Sequence, residues 1–256
     1  AYPISYNSYS NIDFSTVKNF RAEYELRGEN RTSLFFNYAL LFSDGTGSNI
    51  NSSAALIAAN LPNLRSLYPT QYDVRHQMTL RLDYRFKPES QYTGPIWFGK
   101  KIFANSGANF IVSSKSGEPY TAYVNPIATV QAAAQRQILD GNPFGSRMPW
   151  QFKVDANFNK TFIIKKGNPK DFRRPNTEIN VFFWVQNLLN SRIVNRVYGF
   201  TGLPDDDGWL SSPEGQQQSA NELNTQSYID LYNVRVSNPY NFLTPRLARL
   251  GVRMSF

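Results

Sequence analysis

Apolar and polar residues alternate with a period of two along seven separate stretches of this chain. In 17–27, Phe20, Ala22, Tyr24 and Leu26 share one side, and Asn19, Arg21, Glu23, Glu25 and Arg27 the other. The stretch 32–43 collects Leu34, Phe36, Tyr38, Leu40 and Phe42. In 74–86, Met78, Leu80, Leu82, Tyr84 and Phe86 oppose Arg75, Gln77, Thr79, Arg81, Asp83 and Arg85. In 149–162, Trp150, Phe152, Val154, Ala156 and Phe158 alternate with Gln151, Lys153, Asp155, Asn157 and Asn159. The end of the chain, 246–256, repeats the pattern with Ala248, Leu250, Val252, Met254 and Phe256. The stretch 178–190 is apolar on both sides, and 104–114 alternates most weakly. Successive side chains of a strand point to opposite faces, so each stretch predicts a strand with one oily and one wet face.

Soluble sandwiches contain such strands too, but length and contrast separate the two cases. These stretches run about 11 to 14 residues, against about 5 or 6 for the usual globular strand. A tilted strand crosses a bilayer in roughly 9 to 11. A fully charged second face is expected where it lines a wet lumen while the first face meets lipid. The connections 28–31, 44–73, 87–103, 115–148, 163–177 and 191–245 alternate short and long. Outer-membrane barrels do the same, with short periplasmic turns at one rim and long extracellular loops at the other. The expected fold is therefore all-β, a transmembrane antiparallel β-barrel in the bacterial outer membrane. Such barrels have an even number of strands and at least eight, so further strands are expected before residue 1. This chain is then the carboxyl-terminal part, residues 1–256, of a larger barrel.

Within the long loops, 53–60 (SAALIAAN) and 129–141 (TVQAAAQRQILDG) predict short helices, the second closing on a Gly suited to a left-handed cap. The basic stretches GKKIF (99–103) and KKGNPKDFRR (165–174) read as solvated rim charges with a role near anionic headgroups.

Composition narrows the chemistry. Aromatic residues make up 15% and charged residues 18% of the 256 residues, and no apolar run approaches the length of a spanning helix. Cysteine is absent, which removes disulfides, thiolate metal sites and Cys nucleophiles. The net charge of +8 is spread through the strands rather than gathered in a patch, so nucleic acid is not an expected partner. His76 is the single histidine and lies on an apolar strand face, so no catalytic triad can form elsewhere and no enzymatic activity is expected. Asp205, Asp206 and Asp207 form the one acidic run. Followed by Gly208, it reads either as a solvated acidic turn or as a Ca²⁺ site of hard oxygen ligands, without the spacing of an EF-hand. The inward charges, among them Arg21, Glu23, Arg81, Asp83, Lys153 and Asp155, are expected to pair across strands. A terminal strand that removes a sheet edge cannot fray, because unpaired amides in hydrocarbon cost about several kcal/mol each. Leu250, Val252, Met254 and Phe256 accordingly read as an assembly signal at the carboxyl terminus.

Several blocks also resemble a known family. YDVRHQ (72–77), SGEPYT (116–121), RMPWQFKVDANFNKTF (147–162), FFWVQNLLN (182–190), VYGFTGLPDDDGW (197–209) and NPYNFLTPRLARLGVRMSF (238–256) are similar to the last strands of TonB-dependent receptors. The likeness is strongest to the Oar-like, carboxypeptidase-regulatory-domain-containing group common in Bacteroidetes, and it includes the GTGS at 45–48. The resemblance implies a 22-stranded barrel, a plug inside it, and a TonB box preceding the plug, neither of which lies in these residues. It implies as partners outer-membrane lipid and lipopolysaccharide, the remaining strands and plug, TonB, and a surface lipoprotein. It further implies uptake of a ligand caught by the long loops. Two other functions fit the same residues. One is an outer-membrane structural or adhesion protein that displays its loops without energised transport, and the other is a secreted β domain such as a lectin.

Overall fold

The computed structural model describes residues 8, 11, 13–28, 31–49, 51–54, 59, 66–129, 137–164 and 177–255. Seven long strands dominate it: β1 (Ser15–Arg27), β2 (Thr32–Gly45), β3 (His76–Arg85), β4 (Ser106–Lys115), β5 (Gln151–Ile164), β6 (Thr177–Gln186) and β7 (Leu247–Ser255). Each coincides with one alternating stretch of the sequence. The chain is all-β in class, and its strands follow one another side by side as an antiparallel meander with β1 and β7 at the two edges. A two-residue strand, Tyr68–Pro69, adds to β2, and Pro119–Tyr120 pairs with Ser146–Arg147 beyond the sheet.

Strand boundaries shift where a side chain takes over a backbone role. The sixth strand stops at Gln186 and not at 190, because Asn187 and Asn190 adopt left-handed φ of 51° and 54°. The Asn187 side chain accepts from the Ser191 amide at 2.9 Å and donates to the Ser191 carbonyl at 3.0 Å, while its own amide donates to Asp155 Oδ1 at 2.8 Å. Asparagine tolerates this conformation because its short amide can bond locally. An opposite device lies in β7, where Gly251 sits under the Phe182 ring. A Cβ there would lie 2.3 Å from Phe182 Cζ, so the aromatic ring occupies the space a side chain would need.

Two loop expectations are corrected or fall outside view. The helix expected at 53–60 lies for the most part outside the described residues, as does the basic stretch 165–174. The helix expected at 129–141 does not reach Gly141. Its described end is extended, with Leu139 bridged to Tyr123 and the amides of Val124 and Asp140 donating to Ile138 and Ala122 carbonyls, both at 2.9 Å. Those backbone groups are committed to a neighbouring segment and cannot close helical turns. Helices stand instead in the last long loop, as α1 (Pro213–Asn221) and α2 (Thr225–Val236). Ser212 caps the first, accepting from the Gly215 amide with Pro213 in the first turn, and Asn224 caps the second through the Ser227 amide. No helix is long and apolar enough to cross a membrane among the described residues.

Candidate functional site

Strand pairing decides what the alternation builds. The register sets Tyr24 beside Phe36, Phe36 beside Leu80, Leu80 beside Val112 and Val112 beside Val154. Further along, Phe158 stands beside Phe183, and Phe183 beside Leu250. A one-residue slip at any pair would have turned an oily row to the other side. None occurs, and the apolar rows of all seven strands merge into one face. That face is open: Phe20 keeps 62%, Val252 65% and Leu250 73% of its surface accessible. The strands contact their sheet neighbours and the helices contact each other, and among the described residues no helix or further strand layer covers the sheet. Among its described members, Ala156 and Val185 are buried.

The opposite face carries most of the charges, but they pair differently from expectation. Arg21 meets Glu23 at 2.8 Å, Arg27 meets Glu25 at 2.8 Å, Arg85 meets Asp83 at 3.1 Å and Lys153 meets Asp155 at 2.8 Å. These pairs run along one strand, two residues apart, and not across strands. The register explains why: Glu23 lies opposite Asn37, Asp83 opposite Ser33 and Asn109, and Lys153 opposite Ser113. Amides make the cross-strand links instead, Asn37 donating to Glu23 at 2.9 Å and Asn109 to Asp83 at 3.4 Å. Arg81 and Arg249 lie over the Phe35 and Trp184 rings at 5.8 and 5.4 Å. Toward the short-link edge this face hollows into a polar concavity of about 460 Å³ between Arg85, Asn159, Glu178, Asn180 and Arg253. Asn157 Oδ1 is buried at its wall without a hydrogen-bond partner among the described residues.

At the long-link edge the loops form a folded platform. Asp73, 1% exposed, accepts from the Ser43 amide at 3.0 Å and from the Arg147 guanidinium, and Arg147 also donates to the Asp73 carbonyl. The ion pair joins the loop after β2 to the loop before β5. Beyond it, Ala128, Trp209, Tyr232 and Val236 make a small core, with Tyr198, Leu210 and Tyr228 packed around it. An adjoining pocket of about 180 Å³ is lined by Tyr123, Ile127, Tyr198, Phe200 and Asp207.

The acidic run belongs to this platform, and its three carboxylates diverge. Asp207 is buried: Oδ2 accepts from Tyr232 Oη at 2.6 Å and from Thr129 Oγ1 at 2.7 Å, and Oδ1 accepts from the Trp209 amide at 3.1 Å. Asp206 Oδ1 accepts from the Gly208 amide at 2.8 Å, and Asp205 lies 3.8 Å from Arg192. A solvated turn therefore describes Asp205 but not Asp207. No group of three or more acidic or imidazole side chains gathers as a metal cage among the described residues. Burial, then the bond to Asp207, pushes the Tyr232 phenol well above its ordinary value.

His76 stands on the oily face near the long-link edge. It is stacked between Tyr38 and Trp150 at centroid distances of 6.2 and 5.7 Å, with its Nδ1 2.9 Å from Tyr38 Oη. This triplet forms an aromatic row with polar tips. At the other end of the chain, Leu250, Val252 and Met254 lie on the oily face of edge strand β7, and Phe256 lies outside the described residues. Sequence reasoning missed the Asp73–Arg147 tie and the Asp207–Tyr232 bond, both made between residues far apart in the chain. Comparison with protein-family models, curated proteins and solved structures finds no match for this chain.

Proposed function

We propose that this chain is the carboxyl-terminal portion of an outer-membrane β-barrel of the TonB-dependent receptor type, whose long loops capture a ligand for uptake. The observation that carries the reading is the single open apolar face spanning all seven strands, with most of the strand charges on the other face. In water such a face is a liability of the kind soluble proteins avoid. In a bilayer it is the surface that acyl chains cover, and the polar face lines a lumen. Supporting it are strands of 9 to 14 residues and links alternating between the 28–31, 86–105, 165–176 edge and the 46–75, 116–150, 187–246 edge. The loop platform, with its own core and pocket, lies at the end such barrels turn outward.

Since the chain lacks cysteine, single cysteines placed in turn along β5 and labelled with a nitroxide provide the test. In lipid vesicles, oxygen should relax labels at Phe152, Val154 and Phe158, while a water-soluble nickel chelate relaxes those at Lys153, Asp155 and Asn157. Equal access of the chelate to both sets would overturn the membrane assignment. Uptake itself is tested in the parent cell, where discharging the inner-membrane proton gradient should stop ligand entry but leave surface binding intact.

A further inference from the structure

The link between β3 and β4 carries a hairpin whose chemistry neither the sheet nor the loop platform uses. Trp97 and Lys100 exchange both backbone hydrogen bonds, at 3.1 and 2.9 Å, around a two-residue turn of Phe98 and Gly99 with φ of 50° and 71°. Such a turn wants two left-handed residues, and Asn-Gly makes it at least cost. A phenylalanine in that conformation is strained, and this one is 96% exposed. Ile96 and Trp97 beside it are also open. Strain and an exposed aromatic ring at one loop tip are a combination that packing among the described residues does not explain.

The hairpin is also continuous with the oily face. Tyr84, the last apolar member of β3, meets Phe86 edge-on at 4.9 Å, Phe86 stacks on Phe103 at 5.5 Å, and Phe103 meets Trp97 at 6.2 Å. An unbroken aromatic chain thus leads from the sheet to the tip. Lys160, a cation on the oily face of β5, donates to the Ile102 carbonyl at the hairpin's base and lies 5.5 Å from the Phe162 ring centroid. A lysine on that face belongs where hydrocarbon gives way to headgroups, so it marks the level of the hairpin. Lys100 and Lys101 follow the tip, Lys101 held by the Glu89 carbonyl at 2.9 Å.

Resting on the membrane reading above, we infer that residues 95–103 form an anchor that inserts Ile96, Trp97 and Phe98 among the headgroups of an anionic glycerophospholipid leaflet at the short-link rim. Lys100 and Lys101 would then lie against lipid phosphates. Aromatic side chains favour that depth, and each surface lysine adds electrostatic attraction.

The test labels an Ile96→Cys variant with an environment-sensitive fluorophore in vesicles of phosphatidylethanolamine and phosphatidylglycerol, part of the lipid bearing a headgroup nitroxide. Labels at Val252→Cys and Arg81→Cys, on the oily and polar faces, are read alongside with an acyl-chain nitroxide. Quenching is expected at 96 and 252 but not at 81. Phe98→Ser, and Lys100→Gln with Lys101→Gln, should reduce quenching at 96 alone, by about five-fold in the docked-to-free ratio for each lysine. Quenching at 252 without quenching at 96 overturns the anchor and leaves the barrel standing. Quenching at neither removes both. Quenching at 96 that is unchanged in phosphatidylcholine overturns the choice of an anionic surface.

Discussion

Replacing Asp207 with alanine should destabilise the loop platform while leaving the sheet intact. The carboxylate sits at the centre of the platform's core, 3% exposed, and holds three separate elements together. Through Tyr232 it ties α2, through Thr129 it ties the loop before β5, and through the Trp209 amide it fixes the turn leading to α1. Removing it strands the buried Tyr232 hydroxyl, the Thr129 hydroxyl and the Trp209 amide. The Thr129 amide keeps a partner, since it lies 3.2 Å from Tyr232 Oη as well. Hydrogen bonds to a charged acceptor contribute about 1.5 to 3 kcal/mol each, and the two short hydroxyl contacts dominate, so a loss of roughly 3 to 4 kcal/mol is expected. That corresponds to about a hundred- to thousand-fold faster exchange of protected amides that open with the platform. Asp207→Asn keeps the shape and loses the charge, so it should cost about half as much. Hydrogen exchange followed by mass spectrometry on the protein in detergent micelles resolves the effect, with peptides from β5 as the internal control. Unchanged protection of α2 in Asp207→Ala, to within about three-fold, would refute the keystone role. Equal acceleration in β5 would refute the independence of platform and sheet.

Three further outcomes follow from other contacts. Tyr232 has its phenol pushed upward on folding, so the stability it contributes is fully present below the unfolded value near 10 and declines as pH rises above it, by up to about 1.4 kcal/mol per pH unit. Tyr232→Phe should flatten that alkaline decline, measured as α2 exchange between pH 9 and 11. Val252→Lys places a cation on the oily face, and should lower stability in vesicles by about 2 to 4 kcal/mol if it lies near the bilayer midplane; urea titration of refolding checks this, with Arg253→Gln on the other face as a near-neutral comparison. Gly251→Val must displace the Phe182 ring, because a Cβ would lie 2.3 Å from it. A cost of about 1 to 3 kcal/mol is expected, recovered in part by Phe182→Ala in a double-mutant cycle.

Certain features of the molecule are written in neighbouring residues and could be read without coordinates. A strand points successive side chains to opposite sides, so Met78, Leu80 and Leu82 must share a face and Thr79, Arg81 and Asp83 the other, whatever they pair with. The seven strands and the division into oily and wet sides follow from that local rule. The helices that start at Ser212–Pro213 and at Asn224 were not foreseen, because α1 and α2 carry no apolar stripe to draw the eye.

Pairing and burial depended on residues distant in sequence. The register set Glu23 against Asn37, which left each charge to find its partner two residues along its own strand. Asp207 looked like its neighbours Asp205 and Asp206, yet Thr129 and Tyr232 converge on it alone. Asp73 and Arg147 carry no local sign of meeting. Local periodicity reports the direction of a side chain relative to its own backbone, whereas the partner it finds there is fixed only when the chain folds back on itself.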